Sequence, residues 1–440
     1  MSSPSDQAPD TCRAIARQQV QQGALDAAER SFLRLLERQP QDVEALRFVA
    51  SRQAARGEHA AAIGRLRVAV EVTRDDPAAW VQLANAQVAV EDFSGAVANF
   101  RRGLALAPRI FVARLQLGMA LEQMGQPQEA LKAYAMAIET ARSLGRWQDD
   151  ATTAPGLREA VKYAVNYVNR GRRQLFRGVL DPLRERYGSS ELVRVEHCLA
   201  IYFSDQPANI PDPRQKPKFL YFPGIASQPY YPRRHFPWLE KLEAATATVC
   251  EELLGVLAQG QQLEAFLGQI PAQASKEMLR SSSDQDPAWD AYFFHRHGRR
   301  HDGHCASCPQ TAALLDALPL VRIRDHAPES LFSILTPGTH ILPHTGVTNT
   351  RLVTHLPLII PPDCAIRVGG EEHAWRKGQC VTFDDTYEHE AWNRSDQVRV
   401  VLILDSWHPD LSEAERAAVT DLVEAIGDFN RSCEIPPVKS

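Results

Sequence analysis

His344 and His389, with Arg399 ten residues after the second, are residue types that could hold a metal and an anionic cosubstrate. The first lies in PHTG at 343–346 and the second in FDDTYEHEAWNRSDQVRVVLILD at 383–405. Both segments read as strands and turns of one β-rich unit. Two imidazoles far apart in sequence but joined by a β-fold are usual protein ligands of a non-haem Fe(II) centre. Arg399 interrupts Val398, Val400, Val401, Leu402, Ile403 and Leu404, a run that otherwise reads as buried strand. A guanidinium there needs an anion, because an unpaired buried charge is very costly. A dicarboxylate such as 2-oxoglutarate would supply one, gripped by the planar fork of the arginine. The competing reading is two core histidines and an arginine paired with a neighbouring Asp or Glu. For any one of these residues it is the better reading, but not for the three together.

Those residues must be positioned by strands. After residue 330 the text switches to short β-branched runs bounded by Pro, Gly and Asp, at 331–336, 350–360, 364–369, 379–383, 388–393 and 398–406. Such spacing predicts a sandwich or jelly roll, with the histidines at one mouth and Arg399 reaching in from a late strand. Upstream, 238–259 has the spacing of an amphipathic helix, and 279–305 is polar, rich in His and Arg, and reads as loops. Within it His301, His304, Cys305 and Cys308 crowd into eight residues. That is too cramped for the separated knuckles of a structural zinc site. A loop role is favoured over a local disulfide or redox switch, and zinc is the weakest reading. His295, His297, Arg299 and Arg300 form a basic patch, either greeting an acidic substrate or simply solvated.

The first third of the chain repeats every 34 residues. Small residues recur at Ala16, Ala50, Ala84 and Gly118, and at Ala28, Ala62, Ala96 and Ala130. Large ones recur at Ile15, Val49, Leu83 and Leu117, and at Phe32, Leu66, Phe100 and Tyr134. Gly23, Gly57 and Gly125 mark turns, with Glu91 as the exception. This period is that of the tetratricopeptide repeat, a helical hairpin whose small positions let helices approach and whose large ones fill the seam. Four units span 11–146, a helical cap or degenerate repeat 147–204, a proline-rich linker 205–237 and the β-rich unit 238–425.

At 440 residues the chain can build two or three domains. A net charge of −5 with 23% charged residues leaves no basic footprint for nucleic acid. The N-terminal text lacks an apolar signal core and no run reaches membrane-spanning length, so a soluble, cytoplasmic protein without membrane contact is expected. Eight scattered cysteines form no disulfide framework, which fits a reducing compartment.

Residues 331–410 resemble the aspartyl/asparaginyl β-hydroxylases, densely there and more thinly back to about residue 215. The resemblance implies a double-stranded β-helix of jelly-roll or cupin-like form, preceded here by an all-α repeat solenoid. It also implies Fe(II) and 2-oxoglutarate as cofactors, O₂ as co-reactant, and His344 and His389 as metal ligands. By the same resemblance Ser333, His355 and Trp289 contact the cosubstrate beside Arg399. Asp385, four residues before His389, is expected to make up in part for the missing carboxylate by orienting a metal-bound water. Asp384 is read as a turn residue. Gly346 stands where related iron enzymes carry a carboxylate, as in this family. Val353 departs from it, standing where relatives carry a second arginine, so cosubstrate binding should lean on Arg399 and His355. Arg351 is a motif residue facing substrate or supporting the fold.

The resulting expectation is a dioxygenase hydroxylating the β-carbon of an Asp or Asn residue in a peptide or protein brought by the repeats. Alternatives are a hydroxylase of a free or carrier-tethered amino acid or of a lipid acyl chain, or a repeat-based binding protein with an inactive cupin-like domain.

Overall fold

The computed structural model describes residues 9–259, 263–268, 277–282 and 286–434. The chain divides into two compact units, one up to Gln174 together with the stretch from Phe429, the other Leu175–Asp428.

In the first unit the period becomes four helical hairpins: α1 (Pro9–Gln21) with α2 (Leu25–Arg38), α3 (Val43–Ala55) with α4 (His59–Val72), α5 (Pro77–Val88) with α6 (Phe93–Leu106), and α7 (Phe111–Gln123) with α8 (Pro127–Ser143). Every alanine of the two small series is fully buried. At Gly118 a Cβ would stand 2.6 Å from the Tyr134 ring, so only glycine lets α7 and α8 close there. Glu91 adopts φ +58°, the left-handed turn conformation that Gly23, Gly57 and Gly125 supply elsewhere.

A ladder also links successive hairpins. Asp42 and Asp76 each cap the helix that follows, accepting from the backbone N–H of Ala45 and Ala78 at 2.9 Å. Each also pairs with an arginine of the preceding repeat, Arg13–Asp42 at 2.7 Å and Arg47–Asp76 at 2.8 Å. One period further on, Val81 and Ile110 end it. Asp76→Ala should therefore lower stability by about 1–2 kcal/mol, readable by urea unfolding. An unchanged midpoint would mean that neighbour packing alone holds the hairpins together.

In the second unit the described strands form two antiparallel sheets. The larger runs β1 (Tyr230–Tyr231), β11 (Val381–Phe383), β8 (Arg351–Ile359), β13 (Arg399–Trp407), β6 (Ser330–Leu335), β4 (Trp289–Arg296) and β2 (Glu264–Ala265), with β5 (Arg299–Arg300) on β4. The smaller runs β10 (Glu371–Ala374), β9 (Cys364–Val368), β12 (His389–Asn393), β7 (Thr339–His344) and β3 (Leu279–Ser281).

The larger sheet is buried on both faces. Phe332, Ile334, Leu356, Val400, Leu402 and Leu404 pack on helices Leu239–Ala244, Thr246–Ala258 and Pro309–Asp316. The alternate residues of the same strands face the smaller sheet, where Leu335 and Val401 meet Ile341, Ile366 and Val368. Because side chains alternate, Ser333, Val353, His355 and Arg399 all fall on that inner face. Burial on both faces is why β13 reads as a continuous apolar run.

Two expectations are corrected. The stretch read as loops contains β4, a mostly buried central strand, and His295 of the supposed surface patch is buried, with its Nδ1 2.9 Å from Ser330 Oγ. The proline-rich stretch is not a free linker: Gln215 bridges to Tyr387, Leu220 to Thr348, and β1 pairs with β11. Its prolines remove donors without preventing the remaining N–H groups from pairing. Among the described residues no helix is long and apolar enough to cross a membrane.

Candidate active site

β7 ends on His344 and β12 begins on His389, and the antiparallel register sets the two directly opposite. Cross-strand partners project from the same face, and the two rings lie 4.1 Å apart by centroid. Each imidazole is oriented by a carbonyl two residues back. His344 Nδ1 is 2.8 Å from Leu342 O, and His389 Nδ1 is 3.0 Å from Tyr387 O. With Nδ1–H donating, the proton-free nitrogen of each ring is Nε2, the ligand form. Burial, and then the neighbouring His389, lowers His344 to about 4; burial lowers His389 as well. Neutral imidazoles at ordinary pH are what a divalent metal requires.

Among the described residues there is no group of three or more His, Cys, Asp and Glu side chains placed to hold a metal. At position 346, two residues after His344, there is no room for a side chain. A Cβ there would stand 2.2 Å from Asp385 Cγ, and the Gly346 N–H donates to Asp385 O at 2.6 Å. The Asp385 carboxylate therefore fills the space that a side chain at 346 would enter. Its Oδ1 is buried without a partner, and burial raises it to about 6 despite Arg351 nearby. An orphaned acceptor beside two neutral imidazoles fits a metal whose remaining ligands are water or substrate oxygens, one of them donating to Asp385. Asp384 plays a different part. Fully buried, it takes the N–H of Thr386 at 2.9 Å and Gln215 Nε2 at 2.6 Å, closing the turn before His389.

Gly346→Ala should displace the Asp385 carboxylate and reduce turnover by about tenfold or more. The double variant Gly346→Ala/Asp385→Ala should lose no more than Asp385→Ala alone. Full activity in Gly346→Ala would detach Asp385 from the chemistry.

The histidines open on a cavity of about 270 Å³ between the sheets, and Arg399 lies in its wall. Arg399 is 1% exposed, yet no carboxylate among the described residues pairs with it. Its Nη1 reaches only Ser333 O at 3.3 Å and Ser333 Oγ at 3.4 Å, its Nε has no partner, and its Cζ lies 4.9 Å from the Trp375 ring centroid. Burial pulls the guanidinium down to about 10. A cation so placed is suited to pair with an exogenous anion.

Around it stand the other expected residues. Trp289 Nε1 donates to Ser333 Oγ at 3.0 Å, and its indole stacks on Phe266 at 3.8 Å. His355 has an unpartnered Nδ1, rests edge-on against Phe383 at 5.0 Å, and is held well below the ordinary imidazole value by burial and by Arg399. Val353 lines the same cavity, leaving Arg399 as the cation of that wall.

Towards the other side Arg351 pairs with Asp405 at 2.6 Å. Asp405 also accepts from the Glu329 N–H at 3.0 Å, and burial raises the Glu329 carboxyl to about 7. Cys305 and Cys308 are free buried thiols in the core packed against the larger sheet, away from this cavity's lining.

Sequence reasoning did not find the segment 215–222. It is hydrogen-bonded to both histidine-bearing loops: Lys216 N–H to Thr386 O at 2.7 Å, Lys218 N–H to Gly346 O at 3.3 Å, and Phe219 N–H to Val347 O at 2.9 Å. The side chain of Asn349 closes the end of this clamp, accepting from Phe222 N–H at 2.7 Å and donating to Phe222 O at 2.9 Å. No local signal marks it, because its partners at Gly346, Val347, Asn349 and Thr386 lie more than a hundred residues away.

Residues 243–409 match the family model described as aspartyl/asparaginyl beta-hydroxylase, and 13–79 and 81–144 match tetratricopeptide repeats. Aspartyl/asparaginyl beta-hydroxylase of Homo sapiens is 33% identical over 200 residues, 44% of this chain and 25% of that protein. The chain thus spans about a quarter of that relative's length. Aspartate beta-hydroxylase domain-containing protein 2 of Rattus norvegicus is 31% identical over 258 residues, 56% of this chain and 70% of that one. Ornithine lipid ester-linked acyl 2-hydroxylase of Rhizobium tropici is 32% identical over 198 residues, 44% of this chain and 66% of that protein. A crystal structure of MamA covers 36% of this chain and 87% of its own, with 22% identity and a TM-score of 0.29. With so much of the rat relative matched, and the paired histidines inside the matched stretch, the chain belongs to the aspartyl/asparaginyl β-hydroxylase family.

Proposed function

We propose that the β-rich unit is an Fe(II)- and 2-oxoglutarate-dependent hydroxylase acting on the β-carbon of an aspartyl or asparaginyl residue, in a peptide or protein recruited by the helical repeats. The observation that carries this reading is Arg399, a buried guanidinium without a counter-ion in the wall of the cavity that the two oriented imidazoles enter. It needs what a dicarboxylate brings.

His344 and His389 would hold the metal through Nε2. Arg399, with the Ser333 hydroxyl, would fix the far carboxylate of the cosubstrate by charge-assisted hydrogen bonds. Trp289 holds the Ser333 hydroxyl in place, and His355 offers an unpartnered nitrogen from the same wall. When bound, iron and 2-oxoglutarate supply the oxidation itself, one oxygen atom of O₂ going to substrate and the other to succinate, with loss of CO₂. The residues around them orient the reacting groups, and Ile341, Ile366, Phe383 and Ile403 form an apolar wall that disfavours water. Asp385 receives a proton-bearing group at its free Oδ1.

The test combines the protein with Fe(II), 2-oxoglutarate and a peptide library. Succinate formation matched by gain of one oxygen atom at an Asp or Asn is the expected result. Iron-loaded protein that consumes no 2-oxoglutarate would refute the reading. The apolar wall and the acyl hydroxylase relative favour a second reading, hydroxylation of an acyl chain, which the same assay with an acyl lipid would reveal.

A further inference from the structure

The inner face of the larger sheet carries its charges at two separate ends. Arg399 stands opposite Leu335 at one end of β13, and Asp405 lies six residues along the same strand, roughly 20 Å away. At that far end stand Glu329, just before β6, and Arg351, at the start of β8. All three line the cavity. Asp405 takes Arg351 Nη1 at 2.6 Å and the Glu329 N–H at 3.0 Å. The Glu329 side chain is 18% exposed and is fixed through one oxygen. Its Oε1 accepts from the His297 N–H at 2.7 Å and lies 2.8 Å from His297 Nδ1. Among the described residues Oε2 takes no partner, and neither does Arg351 Nη2. Holding the turn at His297 thus accounts for one oxygen of Glu329 and leaves the other unused.

Resting on the hydroxylase reading, we infer that Glu329 selects the substrate side chain, its free Oε2 accepting an N–H of an asparaginyl carboxamide, so that the site takes asparagine in preference to aspartate. An ionised aspartyl side chain has no proton to give Oε2. It would also be a fourth acid among the lining residues, beside Glu329, Asp405 and Asp385. Arg351, the lining cation at that end, is already shared with Asp405. Like charges set against each other in this way disfavour the wrong partner. A carboxamide meets both unused groups, its N–H donating to Glu329 Oε2 and its oxygen accepting from Arg351 Nη2. A site built to hydrogen-bond one group rejects the analogue that lacks it, because its own polar atoms are then left unpaired.

Two fluorescent peptides identical except for a central Asn or Asp, without other charges, provide the test, at about pH 8 where the Glu329 carboxyl is mostly ionised. Binding is measured by polarisation to the full-length wild type and Glu329→Gln, each with Co(II) and 2-oxoglutarate present. The wild type should prefer the Asn peptide by about tenfold or more, the scale of one hydrogen bond to a charged group. Glu329→Gln keeps an acceptor for the His297 N–H but gains a donor for a carboxylate, so it should bring the two peptides to within about twofold. A wild type that favours the Asp peptide, or binds both alike, overturns the assignment, and this comparison stands even if the variant does not fold. A Glu329→Gln variant that retains the preference overturns it as well. Failure of the underlying reading shows separately, as iron-loaded wild type that consumes no 2-oxoglutarate.

Discussion

Replacing Arg399 by methionine is expected to make the ligand-free protein more stable while removing its response to 2-oxoglutarate. The guanidinium is buried, has no counter-ion among the described residues, and leaves its Nε unpartnered. An uncompensated buried cation costs several kcal/mol, and apolar replacement of buried charge is often stabilising by about 1–4 kcal/mol. Methionine spans similar volume and would pack among Leu335, Val401 and Cys364 without that cost. The same change removes the anion anchor. Loss of a buried charged partner costs roughly 2–5 kcal/mol, so the concentration for half-saturation should rise on the order of a hundredfold. Thermal unfolding with and without cosubstrate reads both effects together. Wild type should gain stability on adding 2-oxoglutarate with metal, as mass action requires, and the variant should begin higher and gain nothing. A variant that begins lower and still responds would place the anion elsewhere.

His389→Ala should cost metal retention with little loss of fold. The ring bonds to backbone, at Tyr387 O, and the strand around it is secured by pairing with both β7 and β9. A four-ligand zinc site gains roughly 10–16 kcal/mol on binding metal, or about 3–4 kcal/mol per ligand. Removing one of only two imidazoles should therefore weaken metal binding by a few hundredfold, on that rough scale. Co(II) titration followed by calorimetry, beside far-ultraviolet circular dichroism, separates the two roles. Undiminished metal affinity in a folded variant would remove His389 from the centre.

The reactive residues were legible because they are polar groups in apolar text, which is where a strand carries something other than packing. Arg399 in its valine-rich run is the clearest case, and the alternation of β13 puts it on the inner face with Val401 and Ile403. The repeats were legible because a stacked hairpin imposes the same close approach at every period, as the buried alanines show. Strands with mixed chemistry were not. β7 carries Pro343 and two histidines in six residues, and β4 is buried on both faces and so shows no alternation. The clamp of 215–222 was illegible for a different reason: prolines around it signal a linker, while its partners at Gly346 and Thr386 are set by the tertiary fold alone. The carboxylates Asp405 and Glu329 lie at a strand's inner edge, where only the paired Arg351 gives them meaning.

The central claim is that two imidazoles and one buried arginine together hold a chelated 2-oxo acid. Its most direct test is anaerobic titration of the purified protein with Fe(II) and 2-oxoglutarate, watching for the weak visible charge-transfer band of the chelate. A band that requires both components, vanishes in His344→Ala, and needs far more cosubstrate in Arg399→Met is the predicted result. Stoichiometric metal binding without such a band would contradict the claim.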